Sequence, residues 1–123
     1  MSNKNRLSIW GMIEAIEKIE KFTKDISNAT EFSDDQLIFD GCLMNFIVIG
    51  EMVARLDESF KESNSKIEWE RIKSFRNIVA HDYFGINANE VWQIIKYRIP
   101  GEKVNESTNQ WVGSSLTGFS RKE

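Results

Sequence analysis

One cysteine, one histidine and one proline are all that 123 residues contain of those three types. Cys42 has no partner for a disulfide, and Cys42 with His81 is too little to build a zinc cluster of the usual Cys and His kinds in one chain. Both chemistries drop out, and the expectation is of no metal and no cofactor. Cys42 itself sits in the apolar run Cys42 to Ile49 and reads as a small buried hydrophobe rather than a reactive thiol. No apolar run approaches the roughly 20 residues that a bilayer crossing needs, and Met1 to Arg6 leads into an amphipathic segment rather than a signal-peptide core. Cytoplasmic residence without a membrane partner follows as the expectation. Strand-like alternation is missing as well, and Pro100 stands beyond the last helical pattern, so nothing forbids long helices.

What is present suits one domain: 41% hydrophobic residues can fill a single core while 28% charged residues keep the surface wet. The formal net charge of −3 excludes a generally basic coat for nucleic acid, but the charges are unevenly spread. From Met1 to Phe60 there are six basic residues against eleven acidic ones; from Arg71 to Arg98 there are five (Arg71, Lys73, Arg76, Lys96, Arg98) against two (Asp82, Glu90). A local basic site on an acidic body would coincide with the only histidine.

Apolar residues recur at three- and four-residue steps from Leu7 to Ile26, namely Ile9, Met12, Ile13, Ile16, Ile19, Phe22 and Ile26, which predicts a long amphipathic helix. Ser33 with Gln36 three positions on reads as a capping box opening a second helix to about Phe60. Its middle, Leu43 to Ile49, is apolar on nearly every side, as expected of an element packed by several neighbours or by a second subunit. Trp69, Ile72, Phe75 and Val79 give a third helix ending near His81 to Gly85. Asn87 caps a fourth, with Glu90 at its third position and Val91, Ile94 and Ile95 inward, up to Pro100. The expected fold class is all-α, a four-helix antiparallel bundle-like domain over residues 1–100. Residues 101–123 hold three of the seven glycines with many Ser, Thr and Asn, and read as an irregular polar tail.

The segment from Ser74 to Gly85 gathers a guanidinium, an amide, an imidazole, a carboxylate and a phenol at one helix end. RNA cleavage without a metal needs a group that moves protons at the 2′-hydroxyl or the leaving 5′-oxygen, and a fixed cation that offsets charge on the phosphoryl oxygens. Histidine and arginine suit those roles, since imidazole titrates near neutrality and guanidinium forks onto phosphate while staying charged. Five residues along a helix turn through about 500°, or about 140° around the axis, so Arg76 and His81 do not share one narrow face. They converge if the helix end unwinds, or if two copies of the helix meet about a two-fold axis; the second arrangement is favoured. By themselves, an arginine on an amphipathic helix and a histidine in a last turn are ordinary features, one solvated or salt-bridged and the other favoured by the helix dipole.

Arg76-Asn-Ile-Val-Ala-His81-Asp-Tyr83 matches the R-x-x-x-x-H-x-Y signature of HEPN proteins, and its flanks, Ile49-Gly-Glu51, Ile67-Glu-Trp69-Glu-Arg-Ile72 and Tyr83-Phe-Gly-Ile86 followed by Val91-Trp92, resemble the HepT-like toxin branch over about residues 7 to 100. The resemblance implies a dimerising helical bundle with the signature of both chains lining one cleft. It implies an endoribonuclease toxin, metal-independent, restrained by a cognate nucleotidyltransferase antitoxin. On this reading the substrate is RNA, His81 acts in proton transfer, Arg76 stabilises the phosphate, Asn77 orients substrate or the histidine, and Glu51 gives secondary support. Tyr83 is the implied site of adenylylation by the partner. Arg71, Lys73, Lys96 and Arg98 are candidate phosphate contacts, and the assembly is a homodimer or a higher oligomer. The alternative is a non-catalytic module that binds a nucleotide or a nucleotidyltransferase and uses Arg76 only as an anion anchor. The departure is the tail: relatives continue after the Ile-Pro pair in a short leucine-containing segment, where this chain turns polar.

Overall fold

The computed structural model describes residues 2–97, 103–105 and 110–112. The fold is all-α, as expected, with four long helices and two short ones among those residues: α1 (Asn3–Thr23), α2 (Ala29–Asp34), α3 (Gln36–Arg55), α4 (Glu58–Ser63), α5 (Trp69–His81) and α6 (Ala88–Tyr97), with a 3-10 turn at Tyr83–Gly85 between the last two.

Helix α1 starts where the Ser2 hydroxyl accepts the Asn5 amide hydrogen at 3.0 Å. Its stripe of Ile9, Met12, Ile16 and Ile19 is buried as the periodicity requires, whereas Phe22 is 37% exposed and rests its ring over Gly41. Gly11 faces Met52 near one end of α3 and Phe22 faces Gly41 near the other, so α1 and α3 run antiparallel. Phe46 meets Phe75, Gly50 meets Arg76, and Gln36 meets Tyr83 just past α5, placing the α5 end beside the α3 start. Helix α3 is thus the central member, shared by α1 and α5.

The second helix does not run unbroken from Ser33 to Phe60. Ser33 lies inside α2, and the cap of α3 is Asp35, whose carboxylate accepts the Ile38 amide hydrogen at 3.1 Å. The break lets Phe32, 0% exposed, turn into the core between Phe39 and Trp92, at ring-centroid distances of 5.3 and 5.4 Å. Burying a ring of this size stabilises by about 1.5–3 kcal/mol, more than an uninterrupted turn of helix would contribute. The other end stops because Asn5, from α1, accepts the Asp57 amide hydrogen at 3.0 Å and so removes a donor that α3 would need to continue. Leu56 and Phe60 then fold back into the core with α4.

Helix α3 contains the longest stretch that bears on the expectation about apolar runs, and Asp40, Asn45 and Glu51 interrupt it. The helix is 20 residues long and holds an 18-residue stretch of mean hydropathy 1.8, enough by length and composition to cross a membrane. In this fold it lies between α1 and α5, and two of its charged residues, Asp40 and Glu51, have partners in the turn after α5 and on α5 itself.

Helix α5 ends at His81, where the sequence placed it, and Asn87 caps α6 by accepting the Glu90 amide hydrogen at 3.1 Å. Trp92 joins Val91 and Ile95 in the core, with Ile94 only partly buried. The tail is not irregular throughout: β1 (Lys103–Asn105) and β2 (Gln110–Val112) pair antiparallel, with Val104 opposite Trp111. Three-residue strands are too short for alternation to register in a sequence pattern. Pro100, the expected limit of the last helix, lies outside the described residues.

Candidate active site

Arg76 reaches α3 because α3 carries no side chain where the two helices touch. A Cβ on Gly50 would fall 2.3 Å from Arg76 Cβ and 2.6 Å from its Cγ, so only glycine lets the backbones approach this closely. The next residue, Glu51, then accepts a hydrogen bond from Arg76 Nη1 at 2.9 Å. Arg76 Nε is shut off from solvent without a hydrogen-bond partner, and the Arg76 side chain as a whole is 22% exposed. The guanidinium is therefore fixed at one edge by Glu51 and covered at another by Gly50, while Nη2 has no partner among the described residues. A planar cation held in this way is suited to offer its remaining edge to an anion.

His81 is the last residue of α5 and is exposed, as is Asn77, and the side chain of neither makes a hydrogen bond or ion pair among the described residues. The helix stays regular through His81, so unwinding does not bring the imidazole round to Arg76. The two groups keep the different azimuths that their five-residue spacing dictates. The structure brings Arg76 together with Glu51, but does not bring Arg76 and His81 together; Asn77, four residues before His81, shares the exposed face of α5 with it.

Beyond His81 the chain turns sharply. The Asp82 amide donates to Ile78 O at 2.8 Å, Gly85 to Asp82 O at 3.0 Å, and Ile86 to Tyr83 O at 3.2 Å. Gly85 leaves room for the Asp82 carboxylate, which would stand 2.6 Å from a Cβ there. The Tyr83 hydroxyl donates to Asp40 Oδ1 at 2.5 Å and accepts from Gln36 Nε2 at 2.7 Å, and the same Gln36 nitrogen donates to Asp40 at 2.9 Å. The bond to Asp40, then desolvation and the carboxylate's charge, push the Tyr83 phenol above its ordinary value. Its ring stands edge-on to Phe84, centroids 5.1 Å apart, and Phe84 is 97% exposed.

Asp40 is a site residue that the sequence alone did not single out, and Gln36, read there as half of a capping box, bonds Tyr83 and Asp40 instead. A usable signal existed: Asp40 and Glu51 are the acidic residues bracketing the apolar run, and eleven residues is close to three full turns, so both lie on one face of α3 about 16 Å apart. Between them on that face come Met44, 57% exposed, and Ile47, half-buried. Of the candidate phosphate contacts, Arg71 and Lys73 lie on α5, Lys73 at 3.9 Å from Glu70. Lys96 lies on α6, its ammonium 5.5 Å from the Trp92 ring. Arg98 lies outside the described residues. No group of three or more metal-ligating side chains occurs among the described residues.

Residues 12–104 match the family described as Ribonuclease HepT-like. A Methanocaldococcus jannaschii protein named as a gamma-glutamylcyclotransferase and candidate RNase is 30% identical over 89 residues, 72% of this chain and 40% of that larger protein. A second M. jannaschii protein, named as a candidate RNase, is 29% identical over 92 residues, 75% of this chain and 84% of its own length. The Thermococcus cleftensis protein named as probable ribonuclease HepT is 31% identical over 90 residues, 73% of this chain and 81% of that one. No solved structure matches the chain.

Proposed function

This chain belongs to the HepT-like ribonuclease family, and from that premise we propose that it is a metal-independent endoribonuclease, the toxin of a toxin–antitoxin pair, whose site is completed when two copies associate. The observation that carries this reading is the continuous helix α5, which holds Arg76 rigidly against Glu51 while presenting His81 bare to solvent one and a half turns further on. One copy offers a fixed cation and an exposed imidazole at different azimuths; a second α5 across a two-fold axis supplies the missing juxtaposition. The surface for that association is apolar, with Met44 on α3 57% exposed and Ile78, between Arg76 and His81, 50% exposed.

In this site His81 moves the proton at the 2′-hydroxyl or the leaving 5′-oxygen, and Arg76 offsets charge on the phosphoryl oxygens, giving in-line attack with a cyclic phosphate and a 5′-hydroxyl as products. Asn77 orients the substrate, and Arg71, Lys73, Lys96 and Arg98 contact its backbone. The protein works in the cytoplasm. Tyr83 is the point of control: a nucleotidyltransferase antitoxin adenylylates its phenol, setting a bulky anion at the corner beyond His81, at the edge of the cleft that the RNA backbone would enter.

The test is incubation of the purified protein with cellular RNA in EDTA, mapping the ends of the products. His81→Ala and Arg76→Ala are each expected to lower cleavage by about 10²- to 10⁴-fold while the protein remains folded and dimeric. Wild-type rates in either variant would remove the catalytic assignment. One observation favours a second reading, a non-catalytic module: the charge of Arg76 is already offset by Glu51, which leaves less of it to stabilise a transition state. Binding of a nucleotide or of the nucleotidyltransferase, with no cleavage of RNA, would establish it.

A further inference from the structure

His81 sits on the last turn of α5 with no side chain to steady it, so whatever fixes the α5 corner fixes the imidazole. Among the described residues, the hydrogen bonds that tie the 82–86 turn to an element other than α5 itself are those of Tyr83, to Asp40 and Gln36 at the start of α3. The three polar groups close a triangle with sides of 2.5, 2.7 and 2.9 Å, in which Gln36 donates to both partners and Tyr83 donates to a carboxylate. Bonds from a hydroxyl to a charged acceptor are about twice as strong as neutral ones, and Phe39, with its ring centroid 6.4 Å from that of Tyr83, backs the phenol.

We propose that Asp40 and Gln36 are positioning residues, a latch on the Tyr83 hydroxyl that holds the α5 corner and thereby sets the placement of His81. The latch itself stands on the geometry of α3 and the turn; its consequence for cleavage rests on the ribonuclease reading. It also adds a second route to control. A group carried on the phenolic oxygen replaces the hydrogen that Asp40 accepts, so the modification unfastens the corner as well as filling the space before it.

The single histidine makes the test direct, since untagged protein gives one set of imidazole resonances and all of it reports His81. Asp40→Ala is expected to shift and broaden those resonances and to lower kcat on RNA by about ten- to a hundredfold with KM little changed, the signature of a misplaced group rather than a lost contact. Asp40→Asn, which keeps an acceptor oxygen, is expected to restore both. Tyr83→Phe, which removes one oxygen and leaves the ring, is expected to reproduce the Asp40→Ala spectrum and decides the matter if Asp40→Ala fails to fold. Imidazole resonances in Tyr83→Phe that coincide with those of the wild type would overturn the latch. Absence of cleavage by the wild-type protein would overturn the ribonuclease reading instead, and the resonances would still decide the latch.

Discussion

Arg76 lies against Gly50 so closely that the two helices they belong to are spaced by a missing side chain, with 2.3 Å between Arg76 Cβ and the position a Cβ on Gly50 would take. The contact is between atoms next to the two backbones, and no rotamer change can relieve it. Glycine at 50 therefore sets the α3–α5 distance, and that distance is what allows Glu51, one residue on, to bond Arg76 at 2.9 Å.

Gly50→Ala is accordingly expected to push the helices apart. Overpacking of this kind costs about 1–3 kcal/mol, and a drop in melting temperature of about 5 °C or more should accompany it. Cleavage should fall with it, because the Arg76–Glu51 geometry loosens. A melting temperature unchanged from wild type would show that α5 can shift without cost.

Glu51 is expected to matter more for activity than for stability. Both partners of its ion pair are partly exposed, with side-chain exposures of 22% for Arg76 and 47% for Glu51, so the pair contributes under about 1 kcal/mol. Glu51→Ala leaves the guanidinium free to swing, and kcat should fall about tenfold, with Glu51→Gln in between because one acceptor oxygen remains. Equal kcat for wild type and Glu51→Ala would assign the glutamate to the surface alone.

The same residues show what a sequence does and does not disclose. Helices α1, α5 and α6 are legible because their stripes, such as Ile9, Met12, Ile16 and Ile19, follow from local periodicity. The end of α3 is not, since Asn5 acts on Asp57 across 52 residues. Nor is the partner of Tyr83, which is 43 residues away at Asp40. Glu51 was a weak candidate in the sequence because a glutamate after a glycine is ordinary; only the approach of α5 reveals that Gly50 makes the opening and Glu51 fills its rim.

Cys42 is wholly buried, and burial pushes its thiol from an ordinary 9.0 up to about 12. Three units mean about a thousandfold less thiolate near pH 8, so alkylation in the native protein should be at least that much slower than in urea. The sign for stability follows: a group whose value is raised by folding contributes fully below pH 9, and the contribution is lost as the pH rises towards 12. Tyr83, raised in the same direction, adds to this loss above its ordinary value of 10.0. Alkaline melting curves check the direction, and rapid native alkylation of Cys42 at pH 8 would contradict its burial.

Deleting residues 101–123 is expected to leave the melting temperature within about 2 °C and the assembly unchanged. The family match ends at residue 104, and the buried apolar cluster of the described residues has its last member at Ile95. The β1–β2 ladder has only three residue pairs, and a two-stranded ribbon of that length is at best marginally stable by itself. It can therefore contribute little unless its outward residues dock on a helix, and that is the point the deletion isolates. Melting by circular dichroism and size-exclusion chromatography provide the check. A loss of several degrees, or a change of oligomeric state, would mean that the ribbon belongs to the folded domain and that the boundary at residue 100 is misplaced.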